Sequence, residues 1–423
     1  MSSTSDVNLL DPDLFQRGDH HDVFTQLRGE GPMHWHEHPD GQGFWSVVGH
    51  AALTEINRDT ERFSSEKGGI SIDNIHDDST GEGIDQRGLN MLFTDPPKHT
   101  RYRRLVSKGF TPRMIGLLEQ YLTHRSIVIV DNVIERGECD FVEDLAAELP
   151  LQAIAEIMGV PTEDRKLLFE WSNTMIGMDD PDYTGDPQAA AMQLYAYANE
   201  LAKQRSVDPQ DDIITKLVNA EIEGDRLNEF EIDMFMLLLS VAGNETTRTA
   251  TCHGMKALVD YPEQRELLVS DLEKYMPTAV DEMVRWGTPV MHFRRTATVD
   301  TEVAGAKIKA GDRIVMWHVS ANRDEAVWDD PFTFDITRQD NPHIGFGAGG
   351  AHYCLGANLA KMELKLIFNE ILTRLPDLTL TAEPEILRSN FIAGVKSMPV
   401  AYTPGEKINP EPYTKKPGEI VNQ

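Results

Sequence analysis

Apolar residues recur every three or four positions along most of the chain, which is the spacing of an amphipathic helix. This pattern predicts helices over 113–135, 145–158, 227–258 and 363–375. The alternation typical of β-strands is rarer, and it is found at 43–48 and within 296–317. We therefore predict a mainly α-helical fold with a small β region.

The two ends of the chain are polar or rich in proline and glycine, and this composition is typical of loosely held segments. We find no internal repeat and no convincing linker between them. The sequence therefore predicts a single domain over residues 15–402, with flexible ends at 1–14 and 403–423.

The charge balance excludes several classes of partner. Among 423 residues, 69 are acidic and 40 are basic, and the net charge of −29 opposes binding to nucleic acid or to an anionic membrane. The most apolar stretch, 234–243, is about half as long as a membrane-spanning helix. The first residues have neither a basic start nor an apolar run, so we expect a cytoplasmic protein without a signal peptide or membrane anchor.

Three cysteines are present, and none forms a C-x-x-C motif, so no disulfide framework is expected. Cys139 and Cys252 are interpreted as small buried hydrophobic residues. Cys354 differs, because it follows four glycines and precedes a predicted helix, whose N-terminus favours a thiolate. Glycines also let the backbone approach a flat ligand. A lone thiolate in such a loop suits an axial haem ligand better than zinc.

This loop resembles the signature Phe-Gly-x-Gly-x-His-x-Cys-x-Gly of the cytochromes P450, the haem-thiolate monooxygenases. The matching residues, with one extra residue between the phenylalanine and the cysteine, are Phe346, Gly347, His352, Cys354 and Gly356. The extra residue leaves open which glycine occupies which turn. The resemblance implies haem b as cofactor, Cys354 as its iron ligand, and Phe346, His352 and Gly356 as haem contacts. It also implies the mainly helical, single-domain fold of that family.

Glu282 and Arg285 are three residues apart on a predicted helix. Taken alone, such a pair is typical of a solvent-exposed ion pair that contributes little to stability. In this order along the chain it resembles the Glu-x-x-Arg motif of the same family. The resemblance implies that Arg338 completes a buried charge network with these two residues, with a structural role beside the haem.

The segment AGNETT, 242–247, lies inside the most apolar predicted helix, where an acid and an alcohol are costly unless they are satisfied or used. Gly243 would leave room for a flat ligand, and Thr246 could bond to a carbonyl one turn earlier. The alternative is that the helix passes here from buried to exposed. The resemblance places Ala242 and Gly243 beside the haem. It makes Glu245 and Thr246 the acid–alcohol pair that delivers protons for oxygen activation.

At 100° per residue, His99 and Arg103 project from one face of the predicted helix that follows Pro97. The resemblance implies that both bind haem propionates, together with Arg295. The opposite face carries three basic residues, which we interpret as part of a docking surface for a redox partner: Arg101, Arg104 and Lys108. The alternative for all these charges is an ordinary solvated face.

A narrower resemblance, at 148–161, 171–177, 241–248 and 341–360, is to bacterial enzymes that oxidise steroid side chains and methyl-branched lipids and that share the extra loop residue. It implies hydroxylation at or near the terminal carbon of such a molecule. Six residues match positions that would line the substrate channel: Leu239, Val241, Val290, Met291, Phe293 and Phe391. A terpenoid or fatty-acid hydroxylase of the same mechanism is the alternative substrate class.

Monooxygenation by this family implies O₂ and two electrons from NAD(P)H. Because 423 residues leave no room for a fused flavoprotein, we expect a separate ferredoxin and ferredoxin reductase. Two other function classes remain open: a haem-thiolate enzyme that uses peroxide or rearranges its substrate, and a non-catalytic haem sensor or carrier. The Glu245–Thr246 pair argues against the first, since such enzymes need no proton relay.

Overall fold

A computed structural model describes residues 7–72, 88–107, 112–161, 164–177, 180–210, 212–222 and 224–413. Its helices are α1 (Pro12–Gln16), α2 (His20–Glu30), α3 (His50–Arg58), α4 (Lys98–Val106), α5 (Pro112–Val133), α6 (Glu148–Met158), α7 (Arg165–Ile176), α8 (Pro187–Val207), α9 (Ile213–Val218), α10 (Glu229–Asp260), α11 (Pro262–Ser270), α12 (Leu272–Gly287), α13 (His318–Ala321) and α14 (Ala357–Arg374). The fold is mainly α-helical, and this prediction is confirmed.

The strands are short and form several small sheets. They are β1 (Met33–His36), β2 (Phe44–Val47), β3 (Phe63–Ser64), β4 (Glu138–Asp140), β5 (Glu221–Ile222), β6 (Asp225–Arg226), β7 (His292–Ala297), β8 (Thr301–Val303), β9 (Ala306–Ile308), β10 (Arg313–Trp317), β11 (Thr379–Leu380), β12 (Glu385–Ile386), β13 (Val395–Ser397) and β14 (Pro399–Ala401). The largest sheet has the order β1-β2-β10-β7-β3, in which β2 and β10 are parallel and the other neighbours antiparallel.

The long helix α10 forms the centre of the molecule. It begins with a capping box, in which the Asn228 side chain accepts from the N–H of Glu231 while the Glu231 carboxylate accepts from the N–H of Asn228. Its 32 residues pack against α6, α7, α8, α12 and α14. A helix surrounded in this way is apolar on most of its faces, so any polar side chain in its middle must find a specific partner.

The apolar core consists of a large cluster among the helices and two smaller clusters on the two faces of the five-stranded sheet. Leu9 is buried in one of the smaller clusters with Phe15 and Trp317, so this part of the N-terminal segment 1–14 is held against the sheet. In the C-terminal segment, the N–H groups of Ile408 and Asn409 donate to the Asp131 carboxylate. The limits of the domain stay a prediction. None of the described helices is long and apolar enough to cross a membrane.

Candidate active site

A deep cavity lies between α10, β7 and the loop that precedes α14. Much of its wall is apolar, with side chains that include Ile154, Phe235, Leu238, Leu239, Val290 and Phe293. The rest carries groups that can bind charge or metal: His99, Arg103, Thr246, Arg295, His352 and Cys354. Four more of the predicted haem contacts also line it: Ala242, Gly243, Phe346 and Gly356. Residues from separate segments of the sequence therefore meet at one cavity.

Cys354 ends the glycine-rich loop, and its side chain faces the cavity but is enclosed by the surrounding protein. Its backbone N–H donates to the carbonyl of Phe346 at 2.9 Å, which closes the loop. Helix α14 begins at Ala357, and the N–H groups of Gly356 and Ala357 donate to the sulfur. The free N–H groups of a helix start thus point at this atom, as the sequence predicts.

The protonation of Cys354 is governed by opposing effects. Burial raises the pKa of its thiol and has the largest effect, whereas the two backbone donors and the charge of Arg103 lower it. The start of α14 therefore favours a thiolate, as the sequence predicts, but burial has the larger effect on the free thiol. Burial also raises the pKa of Cys139, to about 12, and that of Cys252, which fits their interpretation as unreactive residues.

Three glycines of this loop adopt left-handed backbone conformations, with φ of 89° at Gly347, 85° at Gly349 and 80° at Gly350. A Cβ at Gly349 or Gly350 would crowd Arg58 at the end of α3, and the Arg58 Nε donates to the carbonyl of Ala348 at 2.8 Å. The extra residue in the signature left open which glycines form the turns of this loop. The structure shows that Gly347, Gly349 and Gly350 form them.

Three side chains on the wall can bind carboxylates. The Nε2 of His99 and the Nε of Arg295 are buried and have no hydrogen-bond partner among the described residues. Arg103 donates to the carbonyl of Ala351 at 3.2 Å. Burial lowers the pKa of Arg295 to about 10 and that of His99 to about 4. At neutral pH the positive charge on this wall therefore comes from the two arginines, and His99 is neutral.

Asn57, at the end of α3, also lines the cavity, although the sequence analysis does not single it out. Its amide donates to the carbonyl of Gly349 at 2.9 Å, and its Oδ1 accepts from Arg295 at 3.4 Å. It thus links a charged wall residue to the cysteine loop. Because 292 residues separate Asn57 from Gly349, no local sequence signal points to this role.

The acid and the alcohol in the middle of α10 face different ways. Thr246 lines the cavity, and its Oγ1 donates to the carbonyl of Ala242 at 2.9 Å, which is the bond that the sequence predicts. Glu245 is buried but is not part of the cavity wall, and it forms an ion pair with Arg248. The two residues are therefore neighbours in sequence that open onto different surroundings.

Gly243 lines the cavity, but the space beside its Cα is filled by protein. A Cβ at this position would collide with the side chain of Ile154 on α6. The absence of a side chain therefore lets α6 and α10 approach closely. Because Gly243 and Ile154 both line the cavity, the expectation that Gly243 also makes room for a flat ligand stays a prediction.

Glu282 and Arg285 form a fully buried ion pair on α12, with 2.7 Å between Oε1 and Nη2. Arg285 also donates to three backbone carbonyls, those of Asn322, Pro331 and Thr333. Glu282 accepts from the N–H of Asp335 and from the side chains of Asn341 and Arg338. Every charge of the pair is thus compensated away from water, and the alternative of an exposed helix pair is wrong.

Three of the six side chains predicted to line the substrate channel do line the cavity: Leu239, Val290 and Phe293. Val241, Met291 and Phe391 do not. Val241 is two residues from Leu239 on α10, which turns it about 200° to the other side of the helix. The N–H of Met291 donates to the carbonyl of Phe391 at 2.8 Å, and the Phe391 ring packs 5.8 Å from that of Phe293. These two residues therefore support Phe293 from outside the cavity.

A family model described as Cytochrome P450 matches residues 136–383, which include Cys354 and the Glu282–Arg285 pair. The chain belongs to the cytochrome P450 family. It is accordingly a haem-dependent monooxygenase that uses O₂, and this activity implies a redox partner.

Named relatives cover almost the whole of this cytochrome P450. It is 45% identical over 401 residues to a steroid C26-monooxygenase of Rhodococcus jostii (strain RHA1), covering 93% of this chain and 84% of the relative. A methyl-branched lipid omega-hydroxylase of Mycobacterium bovis (strain ATCC BAA-935 / AF2122/97) is 43% identical over 394 residues, covering 90% of both. The structure of a Mycobacterium marinum cytochrome P450 in complex with pseudoionone has a TM-score of 0.85 and 38% identity, covering 92% of this chain and 96% of that one.

The cavity wall of this cytochrome P450 fits haem b. Cys354 is the one thiol on the described cavity wall, and a lone thiolate beside a flat cavity suits an axial haem ligand. The unpartnered donors of His99 and Arg295, with Arg103, provide for the two carboxylates that haem carries. The apolar remainder of the wall suits the flat face of the ring.

Two of the basic residues predicted for redox-partner docking, Arg101 and Arg104, differ in how their charges are paired. Arg101 is paired with Glu231 of α10 at 3.0 Å and donates to the carbonyl of Arg226, so its charge is compensated within the protein. Arg104 is exposed and lines a surface groove together with Arg103 and the end of the cysteine loop. Lys108 lies outside the described residues. The docking of a redox partner at these residues stays a prediction.

Proposed function

We propose that this cytochrome P450 hydroxylates the terminal carbon, or the carbon next to it, of a sterol side chain or a methyl-branched lipid. The observation that carries the proposal is the largely apolar wall of the cavity, which also contains Thr246 and Cys354. Relatives named for steroid C26 and for methyl-branched lipid omega oxidation, at 43% to 45% identity, support the same substrate class.

Bound haem supplies the oxidising chemistry, in which a C–H bond, O₂, two electrons and two protons give an alcohol and water. We assign Cys354 as the iron ligand, and His99, Arg103 and Arg295 as the groups that bind the propionates. Phe346, His352, Gly356, Ala242 and Gly243 contribute to the walls around the ring. Thr246 holds a proton at Oγ1 on the cavity wall, and Glu245 supplies protons to it.

The apolar wall gives this enzyme its selectivity for position. Each buried methylene contributes about 0.8 kcal/mol, or roughly fourfold in affinity, so the chain end of the substrate is drawn into the cavity. A terminal methyl group is harder to oxidise than an internal C–H, so attack there requires that the protein fix the orientation of the substrate. Phe293, supported by Phe391, is one of the rigid surfaces that can do so.

Product analysis with cholesterol, and with analogues shortened one carbon at a time, tests this proposal. We expect hydroxylation at the chain terminus, with binding about fourfold weaker for each carbon removed. Leu239→Trp should move oxidation away from the terminus because it shortens the cavity. Val241→Ala, on the opposite side of α10, should leave the product unchanged. Hydroxylation mainly on the ring system would overturn the substrate proposal and leave the monooxygenase family intact.

We propose a ferredoxin with its ferredoxin reductase as the electron donor, working in the cytoplasm. The exposed Arg104 and its groove beside the cysteine loop support a small acidic partner, and the unpaired state of all three cysteines fits a reducing compartment. Screening over about 8 Å at physiological salt lets this local charge act in spite of the net charge of −29.

Arg104→Glu should slow reduction by a ferredoxin several-fold at low salt, with an effect that shrinks as salt rises, because it reverses a charge at the docking surface. Stopped-flow measurement of the reduction rate checks this. Lys166→Glu is the matched control, since Lys166 is exposed on α7 and lines no part of the groove. An Arg104 variant that alters only substrate affinity would contradict the assignment.

A further inference from the structure

His292, at the start of β7, is a fully buried histidine behind the cavity wall. Side chains alternate along a strand, so Phe293 and Arg295 face the cavity while His292 faces the other way. The imidazole has no exposure to solvent, and its centroid lies 4.8 Å from the ring of Trp317 and 5.2 Å from that of Phe391. Its position is therefore fixed by the rings that surround it.

Both nitrogens of this imidazole bind backbone groups from distant segments of the chain. The N–H of Ile72 donates to Nε2 at 3.1 Å, and Nδ1 is 3.0 Å from the carbonyl oxygen of Asn390. Because a backbone N–H only donates and a carbonyl only accepts, Nε2 is the acceptor and Nδ1 carries the proton. Only the neutral ring can make this pair of bonds. Burial lowers the pKa of His292 to about 4, so the ring is neutral at pH 7.

The first of the two segments contains Ile70 and Ile72 and passes along β7. The N–H of Arg294 donates to the carbonyl of Ile70 at 2.6 Å, and Ile72 is buried in one of the smaller apolar clusters. A buried N–H that loses its partner is costly. The bond from Ile72 to His292 therefore fixes this segment against the strand.

The second segment is the turn 389–393 between β12 and β13. It carries Phe391, whose ring packs 5.8 Å from that of Phe293 on the cavity wall. Asn390, one residue earlier, is buried, and its carbonyl accepts the proton of His292 Nδ1. The place of the Phe391 ring, and with it the surface that Phe293 presents to the cavity, thus depends on this bond.

We propose that His292 is a positioning residue that determines which carbon of the substrate is oxidised. Its two hydrogen bonds hold the Ile72 segment and the Phe391 turn against β7, and so fix Phe293 on the cavity wall. The proposal rests on the proposed function, in which orientation directs attack to the chain end. A displacement of about 1 Å is enough to change rates strongly at a reacting centre, so a small shift of Phe293 changes which C–H is attacked.

Three substitutions in the haem-loaded enzyme separate the two bonds. His292→Asn keeps a donor near the position of Nδ1 and loses the acceptor for Ile72. His292→Gln keeps an acceptor near the position of Nε2 and loses the donor to Asn390. His292→Phe keeps a ring and loses both bonds. With cholesterol as substrate, we expect the ratio of the major to the minor hydroxylated products to fall about fivefold or more in His292→Phe, and less in the other two.

Two further measurements show whether the change is one of position rather than of folding. The thiolate-type carbon-monoxide spectrum and the haem content should not change. Hydrogen exchange of the Ile72 amide should become faster in His292→Asn and His292→Phe, but not in His292→Gln. His124→Phe is the control, because His124 on α5 also binds a backbone carbonyl, that of Glu411 at 3.0 Å, and lines no part of the cavity. Its product ratio should equal that of the unmodified enzyme.

An unchanged product ratio in all three His292 variants would overturn the proposal. If the variants do not bind haem, exchange of the Ile72 amide in the unmodified enzyme decides: slow exchange supports the bond to His292, and exchange as fast as that of an exposed amide overturns it. Failure of the proposed function gives a different result. The unmodified enzyme then hydroxylates mainly the ring system, and a shift of the product position in His292→Phe still supports the role of His292.

Discussion

Cys354→His is expected to abolish both monooxygenase activity and the thiolate-type absorption of the reduced carbon-monoxide complex. Cys354 is the one thiol on the described cavity wall, and the N–H groups of Gly356 and Ala357 donate to its sulfur, as they would to an anion. An imidazole is longer than a thiol, is neutral, and does not donate the electron density on which O–O cleavage depends. The absorption spectrum and product yield of the purified variant measure the effect.

Cys139→Ala provides the control for this experiment. Cys139 is half-buried in β4, hydrogen-bonded to Tyr402, and does not line the cavity, so its removal should leave spectrum and activity unchanged. Retention of the thiolate signature in Cys354→His would show that the iron ligand has been wrongly assigned.

Glu282→Ala is expected to destabilise the protein by about 3–5 kcal/mol and to reduce haem content sharply. Removal of one partner of a fully buried ion pair leaves the other charge without compensation. Here that charge is Arg285, whose side chain has no exposure to solvent. The free energy of unfolding from urea titration, and the ratio of haem to protein, measure the two effects.

Asp260→Asn is the matched control, because Lys256 and Asp260 also form an ion pair within one helix, at 2.8 Å but partly exposed. Loss of this ion pair should lower the free energy of unfolding by about 0.3–0.5 kcal/mol. The double variant Glu282→Ala, Arg285→Met should recover part of the stability lost in the single variant, since no charge is then left buried. Equal costs for Glu282→Ala and Asp260→Asn would contradict a structural role for the pair.

The long elements of this fold are visible in the sequence because their periodicity extends over many turns. The segment predicted at 227–258 is α10, shifted by two residues at each end, where the capping box sets the start. In contrast, α14 begins six residues before the predicted 363, since its first turn belongs to the cysteine loop and carries little apolar pattern. The turn Val142–Ala146 before α6 is a π-helix, and sequence periodicity does not report such a local change.

Those residues of the site that belong to one short sequence motif could be predicted. Cys354 and Thr246 occupy the positions expected for them, because both depend on neighbours within one helical turn or one loop. The ion pair between Glu245 and Arg248 could also be predicted, because residues three positions apart are neighbours on a helix. Helix geometry alone argues against Val241 as a channel residue, because two successive rotations of 100° place it on a different face of α10 from Leu239.

Contacts between distant segments could not be read from the pattern. The collision that explains Gly243 involves Ile154, and the compensation of Arg101 comes from Glu231. Both depend on how whole helices pack, and each side chain alone is compatible with several environments. Met291 and Phe391 are hydrophobic enough to line a channel. Their backbones are joined by a hydrogen bond, and neither residue lines the cavity.

The burial of Arg295 makes the stability of the folded chain depend on its cofactor. It is held on β7, with neighbouring strands on both sides, and it is charged and buried without an ion-pair partner among the described residues. A ligand that brings carboxylates to this cation relieves a cost that the folded chain otherwise bears alone. Because binding to the native state stabilises it by mass action, we expect chain made without haem to be degraded faster than chain that has bound it. Cellular abundance of the enzyme is then expected to rise with the supply of haem.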